Sequence, residues 1–355
     1  MHKRKILFLG ETYRADAITW MKGLQEFGGF EIFTWELYNA GTGLKKANRA
    51  FEIIARLKEL KQKIISLKPD LIIAERVTSY GFIAALFHKY APVIIAQQGI
   101  TDIFPAKGIT VALKKRMQRY AFKHATLIHA WGMAMTPSML LQGAQPEKIL
   151  VLAKGVDLRK FDFKPTLVDD KIRAVVTRSL AVDYRHETIL AAFRILKKKG
   201  LSFELIIVGD GPLKENLIQS AIDKNIQQEV IFTGRIDNNQ LPQYLANSDL
   251  YVSMPCSEGV STSLFEAMAS GCYPIVSNLP GNRAWITNEV NGHLINVDDA
   301  ANLAGALEWY AIHRKTLLNT LMSNRETVEQ QCSYQKNMAN ICKKYHQIID
   351  SSSCA

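Results

Sequence analysis

The stretch SEGVSTSLFEAMASGCYPIVS, residues 257–277, holds the residues whose types and spacing best suit chemistry. Glu258 and Glu266 stand eight apart around Gly259, Val260 and the hydroxyl run Ser261, Thr262, Ser263. The preceding DLYVSMP reads as a buried strand, and SLFEAMAS has helical spacing with Gly271 as its stop. The hydroxyl run therefore falls at a helix amino terminus, where unpaired N–H groups and the helix dipole favour a phosphate. Gly259 lets the backbone come close to a ligand. A diphosphate repels carboxylates, so Glu258 and Glu266 suit hydroxyl groups, such as a ribose diol or a hexose. Taken alone, two glutamates at this spacing are a solvated helix residue and a plain loop residue. Their position between a strand and a glycine-terminated helix turns the pair into a candidate nucleotide-sugar site.

The elements that must position them alternate along the chain. Short apolar runs such as KILFLG (5–10), PDLIIAER, PVIIAQQG and TLIHAW alternate with amphipathic segments such as ADAITWMKGLQEFG (15–28) and NRAFEIIARLKELKQKIISLK. This pattern predicts a mostly parallel sheet with helices on both faces. FDFKPTLVDDK (161–171) interrupts it and reads as a linker, and the pattern then restarts at IRAVVTRS. NRETVEQQCSYQKNMANICKKYHQIID reads as one long final helix. The expectation is an α/β protein of two doubly wound, Rossmann-like parallel-sheet domains facing a central cleft. The domains are 1–165 and 166–330, and a helix over 331–355 crosses back to the first. Ligands of such folds bind at the carboxyl ends of the strands.

A chain of 355 residues exceeds the size of a single core, which agrees with two domains. No apolar run approaches the length of a membrane span, and the start MHKRKILFLGE lacks a signal-like apolar region, so a cytoplasmic protein is expected. The cysteines, Cys256, Cys272, Cys332, Cys342 and Cys354, have no zinc-like spacing and read as reduced thiols. The net charge of +11 is uneven: residues 1–165 carry 26 Lys/Arg against 13 Asp/Glu, while the remainder carries 18 against 20. The first half therefore calls for an acidic partner. KKRMQRYAFKHA and RLKELKQKIISLK combine cationic and apolar faces and suit peripheral attachment to an anionic membrane, at roughly 1 kcal/mol per basic residue. Nucleic acid is not expected, because no recognition motif accompanies the charge. A dinucleotide oxidoreductase is disfavoured because GDGPLKE lacks the third glycine of its fingerprint.

SEGVSTSLFEAMASGCYPIVS is similar to the E-x7-E signature of glycosyltransferase family 4 (glycosyltransferase group 1), the retaining GT-B enzymes. FELIIVGDGP, VIFTGRIDNNQLPQYLANSDLYVSMP, LPGNRAWI and NGHLI resemble the family's other segments in order. KGVDLRKF resembles the end of its first domain, with Lys154 in place of the usual Asn. The resemblance is strong over about 150–300 and weaker upstream. It implies that Glu266 holds the ribose and Glu258 the hydroxyls of the transferred sugar. The amides of Gly259, Val260, Ser261, Thr262 and Ser263 would bind the diphosphate. Arg178 would neutralise the leaving phosphate, Arg235 and Ile236 would contact the base, and Gly209 would shape the GDGP turn. It further implies transfer of a hexose from a UDP- or GDP-sugar to a saccharide or lipid-linked saccharide in cell-surface polysaccharide or glycolipid synthesis. Neither a cofactor nor a metal is expected.

The chain departs from the family's pattern at several positions. Where a lysine is common it has Tyr184, with Arg185 beside it as a substitute or a solvated neighbour. Gln98 stands where many members have a catalytic His, and Asp102 is a candidate for orienting an acceptor hydroxyl. The first loop, GETYRADA, has only Gly10 of the usual glycines, which leaves Glu11, Thr12, Tyr13 and Arg14 toward the cleft and the acceptor, with Arg14 expected to meet an anionic acceptor or the donor phosphate. Asp16 reads as the cap of the following helix. These departures keep two alternatives open: a catalytically idle GT-B protein that binds sugar nucleotides, and a GT-B nucleotide-sugar epimerase.

Overall fold

The computed structural model describes residues 3–37, 49–97, 99, 111–165 and 171–353. The chain divides into two compact units: residues 1–154 with 335–355, and residues 155–334.

The first unit holds β1 (Lys5–Leu9), α1 (Ala15–Gly28), β2 (Glu31–Trp35), α2 (Arg49–Leu67), β3 (Leu71–Glu75), α3 (Phe82–Leu86), β4 (Val93–Gln97), α4 (Val111–His124), β5 (Leu127–Ala130), α5 (Thr136–Leu141) and β6 (Ile149–Val151). The six strands are parallel, in the order β2-β1-β3-β4-β5-β6. β3 and β4 are buried along their whole length, which is why they read as unbroken apolar runs: helices cover both faces of a parallel sheet. Trp20 of α1 is fully buried, edge-on to Phe8, His129 and Trp131. The segment after β3 opens with a π turn over Val77–Gly81 before α3 begins.

The second unit holds β7 (Ile172–Val176), α6 (His186–Lys198), β8 (Phe203–Val208), α7 (Lys214–Asp223), β9 (Val230–Gly234), α8 (Leu241–Ala246), β10 (Leu250–Ser253), α9 (Thr262–Ser270), β11 (Tyr273–Ser277), α10 (Pro280–Arg283), β12 (His293–Ile295), α11 (Ala300–His313) and α12 (Leu318–Gln331). Its sheet is also six-stranded and parallel, in the order β12-β11-β10-β7-β8-β9. Successive strand residues feed two different cores, as a period of two requires. Ile172, Ala174 and Val176 join Phe193, Leu205 and Leu307 on one face. Val175 and Tyr251 join Leu264, Phe265 and Met268 on the other. Truncating a side chain such as Phe193 or Leu264 to alanine costs about 2–5 kcal/mol in such a core.

The single final helix expected from the sequence is two: α12 stops at Gln331 and α13 (Tyr334–Ser353) begins three residues later. No proline forces the break. The backbone of Val156 does, because its N–H donates to the Cys332 carbonyl (2.7 Å) and its carbonyl accepts from the Tyr334 N–H (3.0 Å). Gly155 is required beside this bridge: its φ is +82°, and a Cβ there would lie 2.4 Å from the Cys332 oxygen. From Gln335 onward the chain belongs to the first unit, where Tyr345 Oη meets His129 Nδ1 at 2.8 Å and the His346 ring stacks on Phe30 at 4.3 Å.

Candidate functional site

The second sheet reverses its strand order between β7 and β10, and the carboxyl ends of those two strands carry the candidate residues. β7 delivers Arg178 and β10 delivers Ser253 and, five residues on, Glu258. Arg178 donates from Nε to Ser253 Oγ (3.0 Å) and from one terminal nitrogen to Glu258 Oε2 (2.5 Å) and Ser261 Oγ (2.6 Å). The Tyr184 ring lies 5.5 Å from the guanidinium carbon. Arg178 and Glu258 side chains are only 15% and 12% exposed, so the pair is largely withdrawn from water and each charge depends on the other. Burial opposes the Arg178 charge, but Tyr251 and Glu258 beside it outweigh burial and hold its pKa above the ordinary value.

The neighbouring backbone is built for close approach. Ser261 is the N-cap of α9, its Oγ accepting from the Leu264 N–H (3.3 Å) as well as from Arg178, so one hydroxyl ties helix start to guanidinium. Thr262 and Ser263 open the helix, Val260 packs on the adjacent core, and Glu266 is half-buried in its second turn. α10 presses on the loop from outside: a Cβ on Gly281 would lie 2.4 Å from the Glu258 carbonyl oxygen. Gly209, at the end of β8, has φ +153°, and a Cβ there would lie 2.2 Å from the Arg178 carbonyl oxygen. Its N–H donates to the Gly234 carbonyl (3.0 Å), and Arg235 and Ile236 follow directly, Arg235 exposed and Ile236 packed on the core.

Arg185 takes the left-handed conformation (φ 49°) just before α6, and its guanidinium donates to the Val182 carbonyl (2.6 Å) and pairs with Asp298 (2.8 Å). Arg178 is therefore the cation held among Glu258, Ser253 and Ser261, while Arg185 is engaged elsewhere. Sequence reasoning did not single out Ser253 or His186. A serine ending an apolar strand is the signal that could have found Ser253. His186, 1% exposed with neither ring nitrogen hydrogen-bonded, has its pKa lowered to about 4 by burial first and by the Arg178 charge second.

In the first unit the order reverses between β1 and β3. Thr12 donates from its N–H (3.1 Å) and its hydroxyl to Glu36 Oε1, and Tyr13 is 56% exposed. Arg14 pairs with Glu11 (3.2 Å) and Asp16 (3.5 Å). Asp16 is not the cap expected of it. Arg14 occupies the N-cap position without a side-chain bond, and Asp16 lies in the first turn, where a carboxylate still suits the dipole. Glu75, at the end of β3, was not singled out, although a charge closing a buried strand is legible in LIIAE. Gln98 and Asp102 lie outside the described residues. Among the described residues no cluster of three or more His, Cys, Asp or Glu could hold a metal ion, and no helix is long and apolar enough to cross a membrane.

Two family models match the chain: "Glycosyl transferases group 1" over residues 158–325 and "Glycosyl transferase 4-like" over residues 41–130. The chain is 30% identical over 175 residues to an Escherichia coli UDP-Gal:alpha-D-GlcNAc-diphosphoundecaprenol alpha-1,3-galactosyltransferase, covering 46% of this chain and 45% of that one. It is 24% identical to a putative teichuronic acid biosynthesis glycosyltransferase of Bacillus subtilis, over 99% of this chain and 88% of that one. The matches span 41% and 45% of the length of the first two curated relatives. Among solved structures, an Anabaena protein, HepE, in complex with UDP superposes with a TM-score of 0.81 at 15% identity, covering 98% of this chain and all of that one. The fold is GT-B, with two Rossmann-like six-stranded parallel sheets.

Proposed function

The chain belongs to the glycosyltransferase group 1 family, and on that premise we propose that it transfers a hexose, with retention of configuration, from a nucleoside-diphosphate sugar to a saccharide or lipid-linked saccharide. The second unit takes the donor and the first the acceptor, and the pathway is synthesis of a cell-surface polysaccharide or glycolipid. UDP is the favoured nucleotide: it occupies the Anabaena neighbour, and UDP-Gal is the donor named for the Escherichia coli relative.

The observation that carries this reading is Arg178, fixed by Ser253, Glu258 and Ser261 at the reversal of the second sheet. Its guanidinium and the amides at the start of α9 meet the diphosphate. As the bond from the anomeric carbon to the diphosphate breaks, Arg178 takes up the charge growing on the departing oxygen. The acceptor oxygen bonds on the same face, and its proton passes to that phosphate oxygen, so the mechanism requires no protein base at Gln98. Glu258, displaced from Arg178 by the phosphate, accepts from the sugar's hydroxyls, and Glu266 accepts from the ribose. Gly209, Arg235 and Ile236 border the base.

The first unit adds a surface suited to an anionic membrane. α4 exposes Leu113, Lys115, Arg116, Arg119 and Lys123, and Leu140 and Leu141 of α5 are exposed as well. The enzyme is expected to sediment with anionic vesicles at low salt and to stay in solution with neutral ones.

The test of the donor reading is thermal stability with saturating UDP, GDP, ADP or CMP, for the wild type and Glu266→Ala. A ligand at a hundred times its dissociation constant stabilises by about 2.7 kcal/mol, a shift of a few degrees in a protein of this size. A shift given by UDP and lost in the variant supports the assignment. No shift with any nucleotide overturns it.

A further inference from the structure

A cavity of about 430 Å³ opens on the second unit between β12, at the edge of its sheet, and α11. That volume lies in the range of small-molecule sites. Asn302, Gly305, Ala306 and Trp309 face it from α11 at spacings of three and four, so one stripe of the helix forms one wall. Asn288, Glu289, His293 and Asn296 close it from β12 and the turns at its ends. No residue assigned to the donor lines it.

Gly305 is a separate sign that the cavity is kept open. It lies inside a helix of 14 residues, where glycine costs roughly 0.5–1 kcal/mol relative to alanine. Crowding does not call for it, since a Cβ there would meet nothing within 4 Å. Its bare backbone preserves room between α11 and β12. Glu289, the one carboxylate lining the cavity, holds a left-handed backbone (φ +63°), a conformation side chains rarely adopt, and its N–H donates to the Gly292 carbonyl at 2.8 Å. Its Oε1 accepts from Asn288 Nδ2 at 3.1 Å, while Asn288 Oδ1 accepts the Leu294 N–H at 2.8 Å, so Asn288 fixes the carboxylate to the strand. Trp309 is fixed as well: the His313 ring stacks on it at 4.3 Å and the His293 ring lies at 4.8 Å. His293 is 6% exposed and its Nδ1 meets Tyr273 Oη at 3.0 Å, which leaves Nε2 without a partner among the described residues.

We propose that this cavity binds an uncharged saccharide, as a second site beside that of the donor. Hydrogen-bonding capacity of both signs remains on its walls. Glu289 Oε2 accepts from a hydroxyl, and so does Asn302 Oδ1, because Asn302 Nδ2 is the atom spent on Asp299. Asn296 Nδ2 donates, because its Oδ1 already accepts from Asn278 at 3.3 Å. The rim of the indole, with Leu294 and Ala306, offers apolar surface to the C–H face of a pyranose ring. Neither Lys nor Arg is among the lining residues, and Arg283 enters this network through Asn278, on which its Nε is spent at 2.6 Å. The occupant is a segment of the growing saccharide, which rests on the glycosyltransferase reading, whereas the binding itself does not.

The experiment measures binding to the full chain by saturation-transfer NMR and isothermal titration, with maltose, cellobiose, lactose and N,N′-diacetylchitobiose as probes. Choline and glucose 6-phosphate are the charged controls. The wild type is expected to bind at least one disaccharide, and to bind it better than either control. Gly305→Gln sets a long side chain across the cavity and suits a helix better than glycine does. Its melting temperature is expected to hold or rise while disaccharide binding is lost. Glu289→Gln is expected to weaken binding about tenfold, the scale of one hydrogen bond to a charged group. Binding retained in full by either variant puts the disaccharide elsewhere on the molecule and overturns the inference, as does no disaccharide bound by the wild type or a preference for choline or the phosphate. The melting shift given by UDP is expected to be the same in both variants. It reports on the donor reading alone, so the two can fail independently.

Discussion

At the residue scale the second unit turns on a fork. Arg178 spends its Nε on Ser253 and one terminal nitrogen on Glu258 and Ser261, an arrangement that only a planar guanidinium can make. Arg178→Lys keeps the charge and loses the fork, so it should bind UDP weakly and transfer slowly. Arg178→Ala should cost about a hundredfold or more in kcat, by analogy with removal of one oxyanion donor. Glu258→Gln is expected to keep UDP affinity within severalfold while kcat falls, whereas Glu266→Ala loses UDP affinity first. Titration calorimetry with UDP beside initial rates separates the three. If Arg178 and the α9 amides carry the phosphate charge, EDTA leaves the rate unchanged, and a rate abolished by EDTA and restored by a divalent ion would reverse that assignment.

At the element scale the loops after β7, β8 and β10 are fitted to one another, and small side chains decide the fit. Gly209→Ala puts a methyl 2.2 Å from the Arg178 carbonyl. It is expected to shift the β7 loop, lower the melting temperature and weaken UDP binding together. Ser261→Ala removes the α9 cap and one of the two serine anchors of Arg178. Loss of a cap costs about 1 kcal/mol. Ser261→Thr should restore the stability seen in denaturant titration but only part of the activity, because its added methyl crowds the Arg178 contact.

At the scale of the whole molecule a deeply buried histidine in each unit, His129 in the first and His186 in the second, is kept neutral. His129 sits between the Leu152 carbonyl (2.7 Å) and Tyr345 Oη (2.8 Å), and burial pushes it down to about 4, as burial and then Arg178 do for His186. In the unfolded chain both titrate near 6.5. Above that pH both states are neutral and stability is complete. As pH falls from about 6.5 toward about 4 the unfolded chain takes up protons that the native state refuses, so stability declines through that window. Melting temperatures at pH 7.5, 6 and 5 should fall in order, and His186→Met should flatten the decline. An equal decline in the variant would remove His186 from the account.

The sequence by itself determined the two alternating α/β patterns, because parallel strands covered on both faces must be apolar throughout, and helices joining them must be amphipathic. It also exposed the Glu258–Glu266 stretch, since a strand, a hydroxyl run and a glycine-stopped helix are local features. Tertiary structure decided what needs a partner distant in the chain. The break between α12 and α13 is made by the backbone of Val156, some 176 residues before Cys332. The partners of Arg178 come from two strand ends that adjoin only because the sheet reverses its order there. The neutralisation of Arg14 by Glu11 could be guessed from i,i+3 spacing, but its sharing with Arg76, 65 positions away from Glu11, could not. Local periodicity fixes which residues face a core, whereas the pairing of charges across strand ends follows from strand order, which no short stretch of sequence encodes.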